Sequence, residues 1–147
     1  ASYTPTPWGT PTPTFTPTPS NRVMIRLVLP DYVSPGEDFW VSGNITNGGS
    51  AMTSIPLVLA LQWFDTFWFW PSWIENGPGN PGGFDYLLSD IPEGNSSINF
   101  IDPFVWPDTK DDQILNLWFH AALLDPELTA IMGEWDSKQW GFGPNLP

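Results

Sequence analysis

Only one histidine, His120, stands in the 147-residue chain, and cysteine is absent. Residue types that perform nucleophilic or acid–base chemistry are therefore sparse. His120 lies in the apolar run LNLWFHAALL, with no G-x-S-x-G or comparable serine or cysteine motif around it. A histidine in such a run is expected to be hydrogen-bonded within a strand rather than to act as a base. The sixteen Asp and Glu residues form no recognised catalytic spacing and are read as solvated surface. The segment DTKDD offers Asp108, Asp111 and Asp112 as oxygen ligands for Ca²⁺, but it lacks the D-x-D-x-D-G order, and a charged hairpin turn is the preferred reading. No enzymatic activity, no cofactor and no resident metal are expected.

Aromatic side chains are the richer resource. Ten tryptophans and ten phenylalanines exceed what a core of this size readily encloses, so some are expected to face a partner. In WFDTFWFWPSW, strand alternation puts Trp68 and Trp70 on one face and Phe67 and Phe69 on the other. Trp68, Trp70 and Trp73 are the candidates for an aromatic platform. Such a platform either stacks on sugar rings or receives a proline-rich peptide.

A proline-rich peptide is present on the same chain. Residues 1–20, ASYTPTPWGTPTPTFTPTPS, contain seven Thr and six Pro and no charge. Proline fixes φ and biases each preceding residue to extended or polyproline II backbone, so the segment is stiff before it meets anything. Twenty residues at about 3.1 Å each span roughly 60 Å, against about 35 Å for a compact domain of this size. Tyr3, Trp8 and Phe15 are its candidate anchors. Because alternate N–H groups point to opposite edges of an extended strand, Thr12, Thr14, Thr16 and Thr18 are expected to pair on one edge only, with the prolines along the other. Ladder bonds near Phe15 and aromatic docking around Trp8 are expected together. Thr4, Thr6, Thr10, Thr12, Thr14, Thr16 and Thr18 are also candidates for O-glycosylation, and Asn44 (N-I-T) and Asn95 (N-S-S) for N-glycosylation.

The elements that must position these residues read as β. In VMIRLVLP, Val23, Ile25, Leu27 and Leu29 alternate with Arg26; in EDFWVSGNITN, Phe39, Val41 and Ile45 alternate with Ser42, Asn44 and Thr46. IPLVLALQWF, FDYLLSDI, SSINFI, FVW, ILNLWFHAALL and EWDSKQW supply further strands, separated by glycine, proline and acidic turns. The spacing predicts an all-β fold, an Ig-like or jelly-roll antiparallel β-sandwich over residues 22–147, behind an extended Thr/Pro-rich arm over residues 1–21. DPELTAIMG alone reads as a helix, with Asp125 as N-cap, Pro126 at the first position and Gly133 as the stop. The net charge of −12 argues against nucleic acid and anionic membrane surfaces as partners. The longest apolar run, IPLVLALQWFDTFWFWPSWI, is interrupted by Gln62, Asp65 and Pro71 and is not expected to span a membrane. A chain beginning at Ala1 is what a processed secreted protein would show.

The stretch VLPDYVSPGEDFWVSGNITNGG resembles the opening of bacterial Ig-like adhesion modules of the CARDB type, in which a P-G-E turn precedes a strand ending in an N-x-G turn. FWFWPSW, DYLLSDIPEG, IDPFVWPD and DPELTAIMGEWD, following a TP-repeat linker, are similar to a module that recurs in large secreted proteins of uncultured environmental bacteria. These resemblances imply an extracellular or cell-surface setting and attach no established activity. The expectation is a structural subunit of an extracellular fibre or surface assembly, its arm docking head-to-tail on a neighbouring copy, with covalent glycans. The alternative is a carbohydrate-binding or adhesion module on a glycosylated stalk.

Overall fold

The computed structural model describes residues 23–80 and 82–145; the Thr/Pro arm, with Tyr3, Trp8, Phe15 and its threonines, lies outside the described residues. Regular structure among the described residues is entirely β: β1 (Val23–Val28), β2 (Tyr32–Val33), β3 (Asp38–Asn47), β4 (Met52–Trp63), β5 (Thr66–Phe69), β6 (Ile74–Asn76), β7 (Leu87–Ile91), β8 (Gly94–Val105), β9 (Ile114–Leu124) and β10 (Ile131–Phe142). Period-two burial runs along the strands as the alternation requires. In β1, Val23, Ile25 and Leu27 are buried while Met24, Arg26 and Val28 are not. The middle of β4 and of β9 is buried on both faces, at Leu57, Val58, Leu59 and Ala60 and at Phe119, His120, Ala121, Ala122 and Leu123.

The strands form one hydrogen-bonded path, β6-β5-β4-β9-β10-β1-β3-β8, with β2 added to β10 and β7 to β4. The path folds over at β10. Near its start β10 pairs with β1 (Met24↔Glu134), while most of its length pairs with β9 and its end with β2. The β1-β3-β8 layer therefore covers β4-β9-β10, and Ile25, Val41, Ile45 and Phe100 meet Leu57, Leu59, Leu117 and Phe119 in one apolar core. Phe39 of β3 stacks on Trp140 of β10 at 4.7 Å between centroids, and Trp140 stacks on Phe119 of β9 at 5.4 Å. The β1–β10 and β2–β10 contacts are parallel; the other strand pairings among the described residues are antiparallel, as the β-sandwich reading expects. Both β1 and β2 belong to one run of chain that passes along β10 in a single direction.

Two expectations are corrected. SSINFI and FVW belong to one strand, β8, which continues through Asp102 and Pro103. It is the outermost strand of its layer, and its pairing with β3 shifts register between Ile101 and Phe104, a place where proline is tolerated. DPELTAIMG is a turn and a strand start rather than a helix. The Asp125 N–H donates to the Ala130 carbonyl at 3.0 Å, Leu128 N–H donates to the Asp125 carbonyl at 2.9 Å, and Ile131 already pairs with Leu124. So short a segment cannot repay helix nucleation against an available ladder. Gly133 lies inside β10 at φ +65°, where a Cβ would stand 2.0 Å from the Val23 carbonyl oxygen.

Candidate docking face

The outer face of the β5-β4-β9-β10 layer is ordered in rows across the strands. Register places Phe67, Gln62, Trp118 and Gln139 in one row, and Phe69, Ala60, His120 and Ser137 in the next. Val58 and Ala122 begin a third. The opposite parity, Leu61 with Phe119 and Leu59 with Ala121, turns into the core.

At the Val58 end this face is hollowed into a groove of about 570 Å³, walled by Phe67, Phe69 and Phe84 on one side and by Leu124 and Ile131 on the other. Phe69 meets Phe67 at 6.2 Å and Phe84 at 5.9 Å between ring centroids. Phe84 reaches the wall from the loop after β6. That loop is held by Asp85, whose carboxylate accepts from Ser72 N–H at 3.1 Å and from Tyr86 N–H at 2.8 Å, and by Asn76, which donates to the Gly83 carbonyl at 3.2 Å. The Ser72 hydroxyl lowers the Asp85 pKa most; burial opposes it, and the backbone N–H groups of Tyr86 and Ser72 add to the lowering, so the carboxyl is held below its ordinary pKa. Among the described lining residues none is cationic, and Asp65 is the single charged one.

Beside the groove, His120 is 6% exposed beneath Phe67 and Trp118, with both ring centroids 6.2 Å away. Its Nε2 lies 2.7 Å from Gln62 Oε1 and its Nδ1 2.6 Å from Ser137 Oγ. The Gln62 amide nitrogen donates to the Phe64 carbonyl at 2.9 Å, which points its oxygen at the ring. His120 Nε2–H therefore donates to Gln62, and Nδ1 accepts from the Ser137 hydroxyl. Burial lowers the His120 pKa to about 4, so the ring is neutral at pH 7. With both nitrogens engaged, it supports the sheet and does not present a base to solvent.

No family model matches the sequence, and no curated protein matches it. In strand arrangement the chain is similar to CARDB domains. The crystal structure of the CARDB domain of the PF1109 protein from Pyrococcus furiosus, in complex with di-metal ions, shares 13% identity over 88% of this chain and 100% of that one, with a TM-score of 0.48. The solution structure of the same domain gives 14% identity, 84% and 94% coverage and a TM-score of 0.45. Spo0M, a sporulation control protein of Bacillus subtilis, gives 14% identity over 84% of this chain and 50% of its own, with a TM-score of 0.43. Two of these three structures are CARDB domains, the type that VLPDYVSPGEDFWVSGNITNGG resembles.

Among the described residues no three His, Cys, Asp or Glu side chains gather to hold a metal. Asp108 accepts instead from Lys110 N–H at 2.8 Å, Asp112 N–H donates to the Thr109 carbonyl at 3.1 Å, and Lys110 has φ +59°, so DTKDD with Asp111 is a tight turn.

The three-tryptophan platform is corrected. The inward parity belongs to Trp68, paired with Leu61, and Trp70 is 9% exposed with its N–H donating to the Phe100 carbonyl at 3.1 Å. Trp68 donates to Glu75 Oε1 at 3.2 Å, and Trp73 packs against the core 6.5 Å from Phe119. Phe67 and Phe69 take the outer side, and the Phe100 carbonyl supplies the acceptor that a buried Trp70 N–H requires. Sequence reading passed over Phe84, Trp118, Leu124 and Ile131. Trp118 had a visible signal, its alternation with the buried Leu117 and Phe119; Phe84 had none, being brought to the groove by a loop.

Asn44 and Asn95 are both exposed, and their sequons lie side by side, Asn44↔Ser97, Ile45↔Ser96 and Thr46↔Asn95, with Thr46 Oγ1 donating to Asn95 Oδ1 at 3.1 Å.

Proposed function

We propose that the chain is a structural subunit of an extracellular fibre or surface assembly, in which the Thr/Pro arm of one copy docks in the aromatic groove of the next. The observation that carries this reading is the groove of Phe67, Phe69 and Phe84, on a chain that also carries an uncharged proline-rich segment. Aromatic grooves recognise such segments because proline rings pack on aromatic faces and the stiff backbone loses little entropy on binding.

Charge favours the same occupant. Copies carrying −12 each repel, and contact is least opposed where both sides are uncharged. Residues 1–20 bear no charge, and the groove bears only Asp65. Reach favours a neighbour over the same copy. Val23, where the arm joins β1, lies against Gly133, two residues from Ile131 on the groove rim and so about 7 Å from it along the strand. Phe15 is eight residues before Val23, about 25 Å at the polyproline II rise, and Trp8 fifteen, about 47 Å. An arm held as extended as its prolines favour would carry both anchors past its own groove. The resulting contact is heterologous and propagates as an open filament unless its rotation closes. Thr/Pro composition of this kind, with Thr4 to Thr18 open to O-glycosylation, supports the extracellular setting.

Electron microscopy and sedimentation of the full chain, of residues 23–147 and of the full-length Phe84→Asp variant test the reading. Filaments are expected from the first and folded monomers from the other two. Filaments formed equally well by either altered protein would overturn it.

A further inference from the structure

The other end of the outer face has a different chemistry. Trp118 is 36% exposed, and register places Gln62 beside it on β4 and Gln139 beside it on β10. Asn116, two residues earlier on β9, shares its face, and both Asn116 and Gln139 are exposed. Gln139 Nε2 donates to Asn116 Oδ1 at 3.2 Å. The two amides therefore fix one another while leaving Gln139 Oε1 as an acceptor and the Asn116 Nδ2 hydrogens as donors beside an open indole ring.

The polar side chains that share the face of Trp118 in these rows, Gln62, Gln139, Ser137 and the neutral His120, carry no charge. Ser137 and the neutral His120 continue the face behind Trp118, and the ring is kept in place by Ser137 Oγ on one nitrogen and Gln62 Oε1 on the other. The charged neighbours on β10 are turned away from it. Lys138 donates to the Leu29 carbonyl at 2.7 Å, and Asp136 accepts from Leu27 N–H at 2.8 Å. In a chain of net charge −12, a charge-free patch built from an indole and paired amides selects a neutral ligand with an apolar face and a polar rim. A pyranose ring has that form, with C–H groups on its face and hydroxyls at its edge.

We propose that Trp118, Gln139 and Asn116 form a binding site for a neutral oligosaccharide, with one sugar ring stacked on the Trp118 indole and its hydroxyls donating to Gln139 Oε1 and accepting from Asn116 Nδ2. Anionic glycans and nucleic acids are repelled by the chain's charge, and a wholly apolar ligand would strip water from the amides without replacing its hydrogen bonds. Phe67 of the groove shares the row of Trp118, but Phe84, Leu124 and Ile131 of the groove take no part in this site, so substitution at Phe84 separates the two.

Calorimetric titration of the full chain with cello-, xylo-, manno-, laminari- and chito-hexaose, each to about 10 mM, tests the proposal. Saturable binding of at least one neutral hexaose is expected. Trp118→Ala should weaken it about tenfold or more and Gln139→Ala about fivefold, since single stacking and hydrogen-bond contacts are of that size. Gln139 is exposed, so its substitution tests the site even if Trp118→Ala fails to fold. Phe84→Asp should leave sugar binding within about twofold while acting on assembly, which separates this proposal from the assembly reading. No saturable binding of any hexaose, or binding unchanged by both Trp118→Ala and Gln139→Ala, would overturn it.

Discussion

The Trp70 indole N–H donates to the Phe100 carbonyl at 3.1 Å, and the two rings meet edge to face at 5.0 Å. Trp70 follows β5 and Phe100 lies in β8, strands at opposite ends of the sheet path. One side of the sandwich is joined where β1 pairs with β10 at Met24↔Glu134; the other side is bridged by this contact. Trp70→Phe keeps most of the ring but leaves a buried carbonyl unpaired, for an expected loss of about 1–3 kcal/mol. Trp70→Ala adds a cavity and should cost about 3–5 kcal/mol. Urea unfolding measures both, and a loss below about 0.5 kcal/mol for Trp70→Ala would show that the seam contributes little.

At Gly133 the backbone of β10 lies directly against that of β1. At φ +65°, with Val23 O 2.0 Å from the place of a Cβ, Gly133→Ala must displace backbone. Left-handed strain alone costs about 1–2 kcal/mol, and the clash adds to it, so a loss above about 2 kcal/mol is expected. Thermal unfolding with midpoint and slope recorded checks this. A neutral Gly133→Ala would mean that β1 slides freely on β10.

His120 makes stability depend on pH in a defined window. Its folded pKa is lowered to about 4 from 6.5, so the unfolded chain takes up a proton first as pH falls. The contribution is present above pH 6.5 and is lost progressively as pH falls from there toward 4, by roughly 3 kcal/mol at most. His120→Gln removes the titration, so its stability should change less with pH in that window than the parent's does. Parallel curves for the two proteins between those pH values would contradict the assignment.

Asp125 organises the β9–β10 turn. Its carboxylate accepts from the Thr129 hydroxyl and from the N–H groups of Thr129 and Ala130. Burial raises its pKa, but these bonds and one from Leu128 N–H outweigh that, leaving it lowered. Asp125→Ala should cost about 1–2 kcal/mol at pH 7, with the Asp125→Asn variant between the two. Hydrogen exchange should quicken first at Thr129 and Ala130. Unchanged exchange there would show that the ladder alone holds the turn.

Alternation of residue types by itself determined that the chain is all-β, which positions of β1 and β3 point inward, and that Phe67 and Phe69 oppose Trp68 and Trp70. These are properties of a pleated backbone and need no knowledge of neighbours. It also determined that His120 would be a hydrogen-bonded strand residue, because nothing nearby in sequence equips it for chemistry. Which side of β5 is buried was decided only in three dimensions, where the Phe100 carbonyl, some thirty residues away, offers the Trp70 N–H its acceptor. The turn at Asp125 was decided there too. Its residues favour a helix locally, but Leu124 and Leu123 present a ladder to Ile131 and Met132, and long-range pairing outweighs a short helix. The groove and the Trp118 patch arise from register between β4, β5, β9 and β10, with Phe84 added from a loop. Register is set by packing over the whole sheet, and no local window contains it.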